Sequence, residues 1–330
     1  MKETLLCCRI TAQEKGLYRL CHDGVEQAAQ VSGKFQYEAL GPSDYPTVGD
    51  EVLADLNGGG QAVIHKVLPR KSLFLRKAAG TAREEQPVAA NVDILFLCMA
   101  LNNDFNLRRL ERYLAAAWNS GATPVVVLTK ADLCGNPSEK VAAVEEAAPG
   151  TDVLLTSAAQ EDGIRPLLPY LTPGRTVAFV GSSGVGKSTL MNGLLGKEIL
   201  ATGGLRNDDR GRHTTTRRQM FFLPGGAALI DTPGMRELGL WDSESGLETA
   251  FVDIEALARQ CRFRDCRHEK EPGCAVRAAL ASGELSEERF RSWQRLSAEN
   301  RYADDRAAHM SAKEKKFRMI AQFNKSNSKR

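Results

Sequence analysis

Residues 176–190 read Thr176-Val177-Ala178-Phe179-Val180-Gly181-Ser182-Ser183-Gly184-Val185-Gly186-Lys187-Ser188-Thr189-Leu190. Val177 to Val180 has the length and composition of a buried parallel strand. Gly181-x-x-x-x-Gly186-Lys187-Ser188 follows at once, and Leu190, Leu194 and Leu195 then recur at helical spacing. Strand, glycine loop and helix in that order make a phosphate-binding loop. Its glycines let the backbone wrap close to a phosphate chain, and the new helix adds the positive end of its dipole. The whole run is a candidate nucleotide site: Gly181, Ser182, Ser183, Gly184, Val185, Gly186, Lys187, Ser188 and Thr189. Lys187 would reach the β- and γ-phosphates, and the Ser188 hydroxyl would hold Mg²⁺.

Four further stretches belong to the same pocket. Ile230-Asp231-Thr232-Pro233-Gly234 follows an apolar strand. There Asp231 can reach the Mg²⁺ shell, and the Gly234 amide can sense the γ-phosphate. Thr129-Lys130-Ala131-Asp132 ends the strand Val125–Leu128. The Asp132 carboxylate can accept from guanine N1–H and the exocyclic amine, which adenine lacks, so it selects GTP over ATP. Lys130 can lay its stem along the base. Guanine binders more often carry Asn where Thr129 sits. Ser157-Ala158, after the strand Asp152–Leu155, fits a loop whose backbone N–H meets guanine O6. Between the two phosphate motifs lies Arg210-Gly211-Arg212-His213-Thr214-Thr215-Thr216-Arg217-Arg218. Thr215 or Thr216 could complete the Mg²⁺ shell through its hydroxyl.

The order of these motifs is inverted. GTPases run from phosphate loop to Asp-x-x-Gly to guanine motif, whereas here the guanine motifs come first. The expected fold is therefore a circularly permuted G domain, because the termini of a domain are often close enough to be rejoined elsewhere. The chain then leaves the Asp231 switch directly for the C-terminal helices.

Beyond that domain, Cys261-x₄-Cys266-x-His268-x₅-Cys274 offers three thiols and an imidazole, a set suited to tetrahedral Zn²⁺ in a closed, structural shell. The other cysteines, Cys7, Cys8, Cys21, Cys98 and Cys134, lack such spacing and are assigned to packing. Short β-like runs fill residues 1–72: Leu5–Ile10, Gly16–Leu20, Phe35–Ala39, Val48–Ala54 and Gln61–Val67. They predict a small five-stranded barrel, OB-like or SH3-like. Residues 73–90 read as a basic connector. Strands and helices alternate from Asp93 onward, with Asn106 capping a helix that carries Leu107, Leu110, Leu114, Ala117 and Trp118, as expected for a parallel sheet with helices on both faces. After Leu240 only helices are expected, at Leu247–Arg259, Ala275–Ala281 and Ser286–Asn300. The resulting division is a small OB-like or SH3-like barrel (1–72), a permuted G domain (73–240) and a helical zinc-binding domain with a basic tail (241–330).

The net charge of +3 over 330 residues does not by itself imply nucleic acid, but residues 301–330 carry nine Lys/Arg against three Asp/Glu. The start, Met1 to Ile10, has no long apolar core, and the apolar run Ile94 to Leu101 is far too short to span a bilayer. A cytoplasmic protein with reduced cysteines and no membrane partner is the expectation.

Together these motifs resemble the RsgA (YjeQ) family of ribosome small-subunit-dependent GTPases. The resemblance covers nearly the whole chain. It includes Val48-Gly49-Asp50, Pro69-Arg70, Ala90-Asn91-Val92-Asp93, the permuted motifs, Gly211 to Thr216, and Cys261 through Pro272-Gly273-Cys274. It implies an N-terminal OB-fold, a central permuted G domain and a C-terminal zinc domain. It also implies GTP/GDP, Mg²⁺ and one Zn²⁺ as ligands. The partners it implies are the 30S subunit and its 16S rRNA, with hydrolysis stimulated by the particle. A monomer is expected. Met235, after Asp231-Thr232-Pro233-Gly234, cannot hydrogen-bond a water as glutamine would, so hydrolysis by the isolated protein should be slow. Lys187 and His213 are the candidate catalytic residues, His213 acting once the ribosome orders its loop. Two other classes compete: a zinc- and barrel-based RNA-binding module in which nucleotide only stabilises the fold, and a P-loop ATPase or kinase, against which Asp132 argues.

Overall fold

The computed structural model describes residues 5–14, 16–56, 60–77, 85–102, 104–160, 162–200, 218–231 and 244–298. The chain divides into two compact units, Met1–Gly239 and Leu240–Arg330.

The first unit opens with strands β1 (Leu6–Glu14), β2 (Leu17–His22), β3 (Val25–Val31), β4 (Glu51–Asp55) and β5 (Ala62–Val67), with helix α1 (Gly33–Glu38) between β3 and β4. They pair in the order β1-β2-β3-β5-β4, and β4 returns to β1, which closes a barrel. Strand order and helix position are those of an OB-fold. Val52 and Ala54 point inward and are fully buried, as are Ile10, Leu20 and Ile64. Two sequence expectations fail here. Phe35–Ala39 is not a strand: residues 33–38 are helical, capped by Ser32, whose hydroxyl accepts from the Phe35 N–H at 3.1 Å. Tyr37, which made the alternation look strand-like, is 90% exposed. The missing third strand is β3, hidden in the sequence because only Ala29 of its seven residues is buried.

Residues 73–90 are not a simple connector either. β6 (Leu73–Lys77) and β7 (Glu85–Ala90) pair antiparallel, and Phe74, Val88, Ala89 and Ala90 are buried.

A second run of strands follows as β8 (Ile94–Ala100), β9 (Thr123–Thr129), β10 (Val153–Leu155), β11 (Thr176–Gly181), β12 (Arg218–Phe222) and β13 (Ala228–Asp231). Their spatial order is β10-β9-β8-β11-β13-β12. All neighbours are parallel except β12, which runs antiparallel to β13 at the sheet's far side. The seven residues of β8 are all buried, as expected of a strand covered on both faces. Helices α2 (Leu107–Ser120), α3 (Pro137–Ala147) and α4 (Lys187–Leu195) supply cover. Asn106 caps α2 by accepting from the Arg109 N–H at 3.0 Å. Leu190 and Met191 of α4 pack on Phe96, Cys98, Val127 and Phe179. If the chain began at β11, the order β11, β12, β13, β8, β9, β10 would be that of an unpermuted G domain. The rearrangement is thus visible in the sheet.

Barrel and sheet form one unit because β1 also pairs with β12, Gln13 opposite Arg218. The joint is built from the stretches 48–50, 69–70 and 90–93. Gly49, at φ +92°, lies so close to the Ala90 carbonyl that a Cβ would meet it at 2.1 Å. Asp50, with no exposed surface, receives Arg70 through two bonds of 2.8 Å, and the Asn91 amide donates to the Gly49 carbonyl at 3.0 Å. Arg9 reaches from β1 to the Thr176 hydroxyl at 2.9 Å, and Asp93 accepts from the Thr176 N–H at 2.8 Å.

The second unit contains helices α5 (Glu244–Ala250), α6 (Val252–Ala258), α7 (Ala275–Ser282) and α8, 287–298. The single helix expected at 247–259 is interrupted at Phe251, which is fully buried beneath the Arg289 guanidinium at 4.8 Å. Among the described residues no helix is long and apolar enough to cross a membrane.

Candidate nucleotide and metal sites

The candidate nucleotide residues converge at the carboxyl ends of β9, β10, β11 and β13, where ligands of open α/β sheets bind. Gly181 ends β11 at φ +156°, and a Cβ there would lie 2.4 Å from the Cys98 carbonyl oxygen of the neighbouring strand. Only glycine permits the chain to leave the strand this way. The loop then runs through Ser182, Ser183, Gly184 and Val185 to Gly186, the left-handed N-cap of α4. The first turn of α4, from Lys187 to Thr189, turns the positive end of the helix dipole toward the loop, where an anion is favoured. Lys187 donates to the carbonyls of Gly181 and Ser182, both at 2.7 Å. Asp231, at the end of β13, has its carboxyl pushed above the usual range by burial, an effect the Lys187 ammonium partly offsets.

The guanine motif is tied to this loop. Thr129 is 2% exposed, and its hydroxyl donates to the Val185 carbonyl at 2.6 Å. The threonine therefore braces the phosphate loop against β9, a task its short side chain performs directly. Lys130 takes a left-handed conformation, φ 57°, which turns the chain into the 3₁₀ segment Ala131–Leu133. The Ala131 N–H is fixed on the Thr156 carbonyl at 3.1 Å. Asp132 accepts from the Ser157 hydroxyl at 2.5 Å, so the two guanine loops are joined through the carboxylate expected to read the base. The Ser157 N–H is taken up by the Gly163 carbonyl at 3.0 Å. Of the expected dipeptide, the Ser157 amide is thus already paired within the protein.

His213, Thr215, Thr216 and Gly234 lie outside the described residues. Asp104, on the loop after β8, was not singled out in the sequence. Its carboxylate accepts from the Ser182 hydroxyl and pairs with Arg109 at 2.9 Å. The only sequence signal for it is an acid shortly after a buried strand.

In the second unit the ligand atoms of Cys261, Cys266, His268 and Cys274 lie within 4.8 Å of one another. Cys261 Sγ is 3.9 Å from Cys274 Sγ and 3.6 Å from His268 Nδ1, which is 3.4 Å from Cys274 Sγ. Zn–S bonds of about 2.3 Å make the edge of a tetrahedron about 3.8 Å, so these separations fit one Zn²⁺. Cys274 also caps α7, its sulfur accepting from the Arg277 N–H at 3.4 Å. His268 is buried against Trp293 and Phe290 of α8, which stack on each other. Trp293 in turn donates to Glu255 of α6 at 3.2 Å. The four candidate ligands and the helices share one small core.

Comparison with known proteins agrees with this geometry. The model of the family described as RsgA GTPase matches residues 67–241. A second model, described as ABC transporter, matches residues 166–329. That span holds the phosphate loop, which all P-loop NTPases share, but not Thr129 to Asp132, which fall inside the first match. The chain is 50% identical over 295 residues to the small ribosomal subunit biogenesis GTPase RsgA 2 of Lactiplantibacillus plantarum, covering 89% of this chain and 83% of that protein. It is 45% identical to RsgA of Methanosarcina acetivorans, covering 93% of this chain and 82% of that protein. Among solved structures it resembles YjeQ from Thermotoga maritima, with 28% identity, a TM-score of 0.67 and coverage of 89% and 97% of the two chains. It also shares the fold of YloQ, described as a circularly permuted GTPase, with 23% identity, a TM-score of 0.64 and coverage of 92% and 96%.

Proposed function

The chain belongs to the RsgA GTPase family, and from that premise we propose that its GTP hydrolysis serves biogenesis of the small ribosomal subunit. It binds the 30S particle and its 16S rRNA in the GTP state and leaves after hydrolysis stimulated by the particle. The observation that carries this reading is the bracing of the guanine motif on the phosphate loop through Thr129 and Val185, in a sheet whose strand order is permuted.

The residues divide the work as follows. Asp132, held by Ser157, accepts from the guanine N1–H and amine, Lys130 flanks the base, and the Ala158 amide meets O6. Amides from Ser182 to Thr189 cradle the phosphates, and Lys187 exchanges its loop carbonyls for the β- and γ-phosphate oxygens. Ser188, Asp231 and one of Thr215 and Thr216 would hold Mg²⁺, which when bound neutralises charge developing on the phosphates. The Gly234 amide senses the γ-phosphate. His213 orients the attacking water on the ribosome. Cys261, Cys266, His268 and Cys274 hold one structural Zn²⁺ with no position left for water. The OB-fold barrel (1–72), the helical zinc domain and the basic tail (241–330) contact the particle on either side of the G domain (73–240) in the sequence. The protein acts as a monomer in the cytoplasm.

Sedimentation with 30S and 50S subunits tests this reading. Co-sedimentation with 30S in a non-hydrolysable GTP analogue, and its loss in GDP, is the expected result. Equal binding in both nucleotides would instead leave an RNA-binding module in which nucleotide is only a structural ligand.

A further inference from the structure

The loop joining β8 to α2 approaches the phosphate loop from the side. The Ser182 hydroxyl donates to Asp104 Oδ2, and Asp104 Oδ1 pairs with the Arg109 guanidinium at 2.9 Å. Arg109 also donates to the Asp104 carbonyl, so it holds both backbone and side chain of the same residue. The approach is fixed at its base: the Asp104 N–H donates to the Asn102 side chain at 3.0 Å, and Asn106 caps α2.

Ser182 is thus gripped twice. Its carbonyl accepts from Lys187 at 2.7 Å, and its hydroxyl is held by Asp104. When Lys187 turns to the phosphates it releases the carbonyl, and the Asp104 bond is the one that remains. Yet this bond places a carboxylate within a side chain's reach of a loop built to take a polyanion. An uncompensated charge so close would repel phosphate, since screening sets in only over about 8 Å at physiological salt. Arg109 supplies the compensation.

We propose that Asp104 is a positioning residue that anchors Ser182 of the phosphate loop, and that Arg109 neutralises it so that the loop accepts the extra charge of a triphosphate. This rests on the reading that the phosphates lie on the loop around Lys187. The pair acts as a charge-balanced clamp that sets the preference for GTP over GDP. Neither residue touches the reacting atoms.

Equilibrium binding of fluorescent GDP and of a non-hydrolysable GTP analogue to the full chain tests the clamp, because the ratio of the two affinities reports local charge rather than stability. Arg109→Gln leaves the carboxylate bare and should lower the triphosphate-to-diphosphate ratio by about three- to tenfold. Asp104→Asn can still accept the Ser182 hydroxyl but frees the guanidinium, and should raise the ratio by a similar factor. Ser182→Ala keeps the ion pair and should weaken both nucleotides together with the ratio unchanged. Opposite shifts for the two charge variants support the clamp. Shifts in the same direction, or an unaltered ratio in both, would overturn it. A wild-type chain that binds neither nucleotide would remove the underlying site as well, which separates that failure from this one.

Discussion

The Asp132 carboxylate is fixed by the Ser157 hydroxyl at 2.5 Å, which leaves it an oriented acceptor with no donor of its own for the base proposed to dock there. Asp132→Asn places an amide there, which can donate. GTP affinity should fall about a hundredfold or more, because the guanine amine then faces a donor. Xanthosine triphosphate, with an oxygen in place of that amine, should gain. Competition binding with the two triphosphates reads both changes, and a variant that kept its guanine preference would show that Asp132 does not read the base. At this scale much was legible. Each motif residue is local in sequence, and its chemistry follows from its side chain. Thr129 was not legible. It looks like a departure from the usual asparagine, and its bond to the Val185 carbonyl spans 56 residues. Asp104 stayed hidden for the same reason, since its partner Ser182 lies 78 residues away.

Whole elements follow periodicity where burial is strong and escape it where burial is weak. β8, β9 and β11 are nearly all buried, and their apolar runs mark them clearly. β3 buries one residue of seven and carries no such mark. α1 deceives in the opposite way, because its aromatic positions 35 and 37 alternate as a strand would while Ser32 caps a helix. The Cys261–Cys274 loop has little periodicity, and there the spacing of its Cys and His residues stands in for it. In the second unit the candidate ligand His268 packs on Phe290 and Trp293 of α8, and Trp293 bonds Glu255 of α6, so the cluster is joined to the helices. Removing the metal should therefore unfold the helices as well as the loop. One zinc per chain is expected by elemental analysis, and chelation should lower helical circular dichroism and thermal stability together. Cys274→Ser should do the same, since that thiol is both a candidate ligand and the cap of α7. Full helicity after complete metal removal would contradict a structural zinc.

At the scale of the whole molecule, motif order predicted the permutation and the sheet displays it, β11 lying between β8 and β13. The union of barrel and sheet was not legible. It depends on β1 meeting β12, residues 13 and 218, and on buried polar contacts among Asp50, Arg70, Asn91 and Gly49 that periodicity cannot show. The arrangement runs the strand that follows the Thr215–Thr216 segment directly onto the barrel's first strand. His213 belongs to that same segment, and His213→Ala should abolish stimulated turnover while leaving particle binding intact. The most direct measurement is steady-state GTP turnover by the full chain with and without purified 30S subunits. Slow turnover alone and a large increase with 30S, absent with 50S, is the expected result. The same rate in both conditions would contradict a GTPase that answers to the small ribosomal particle.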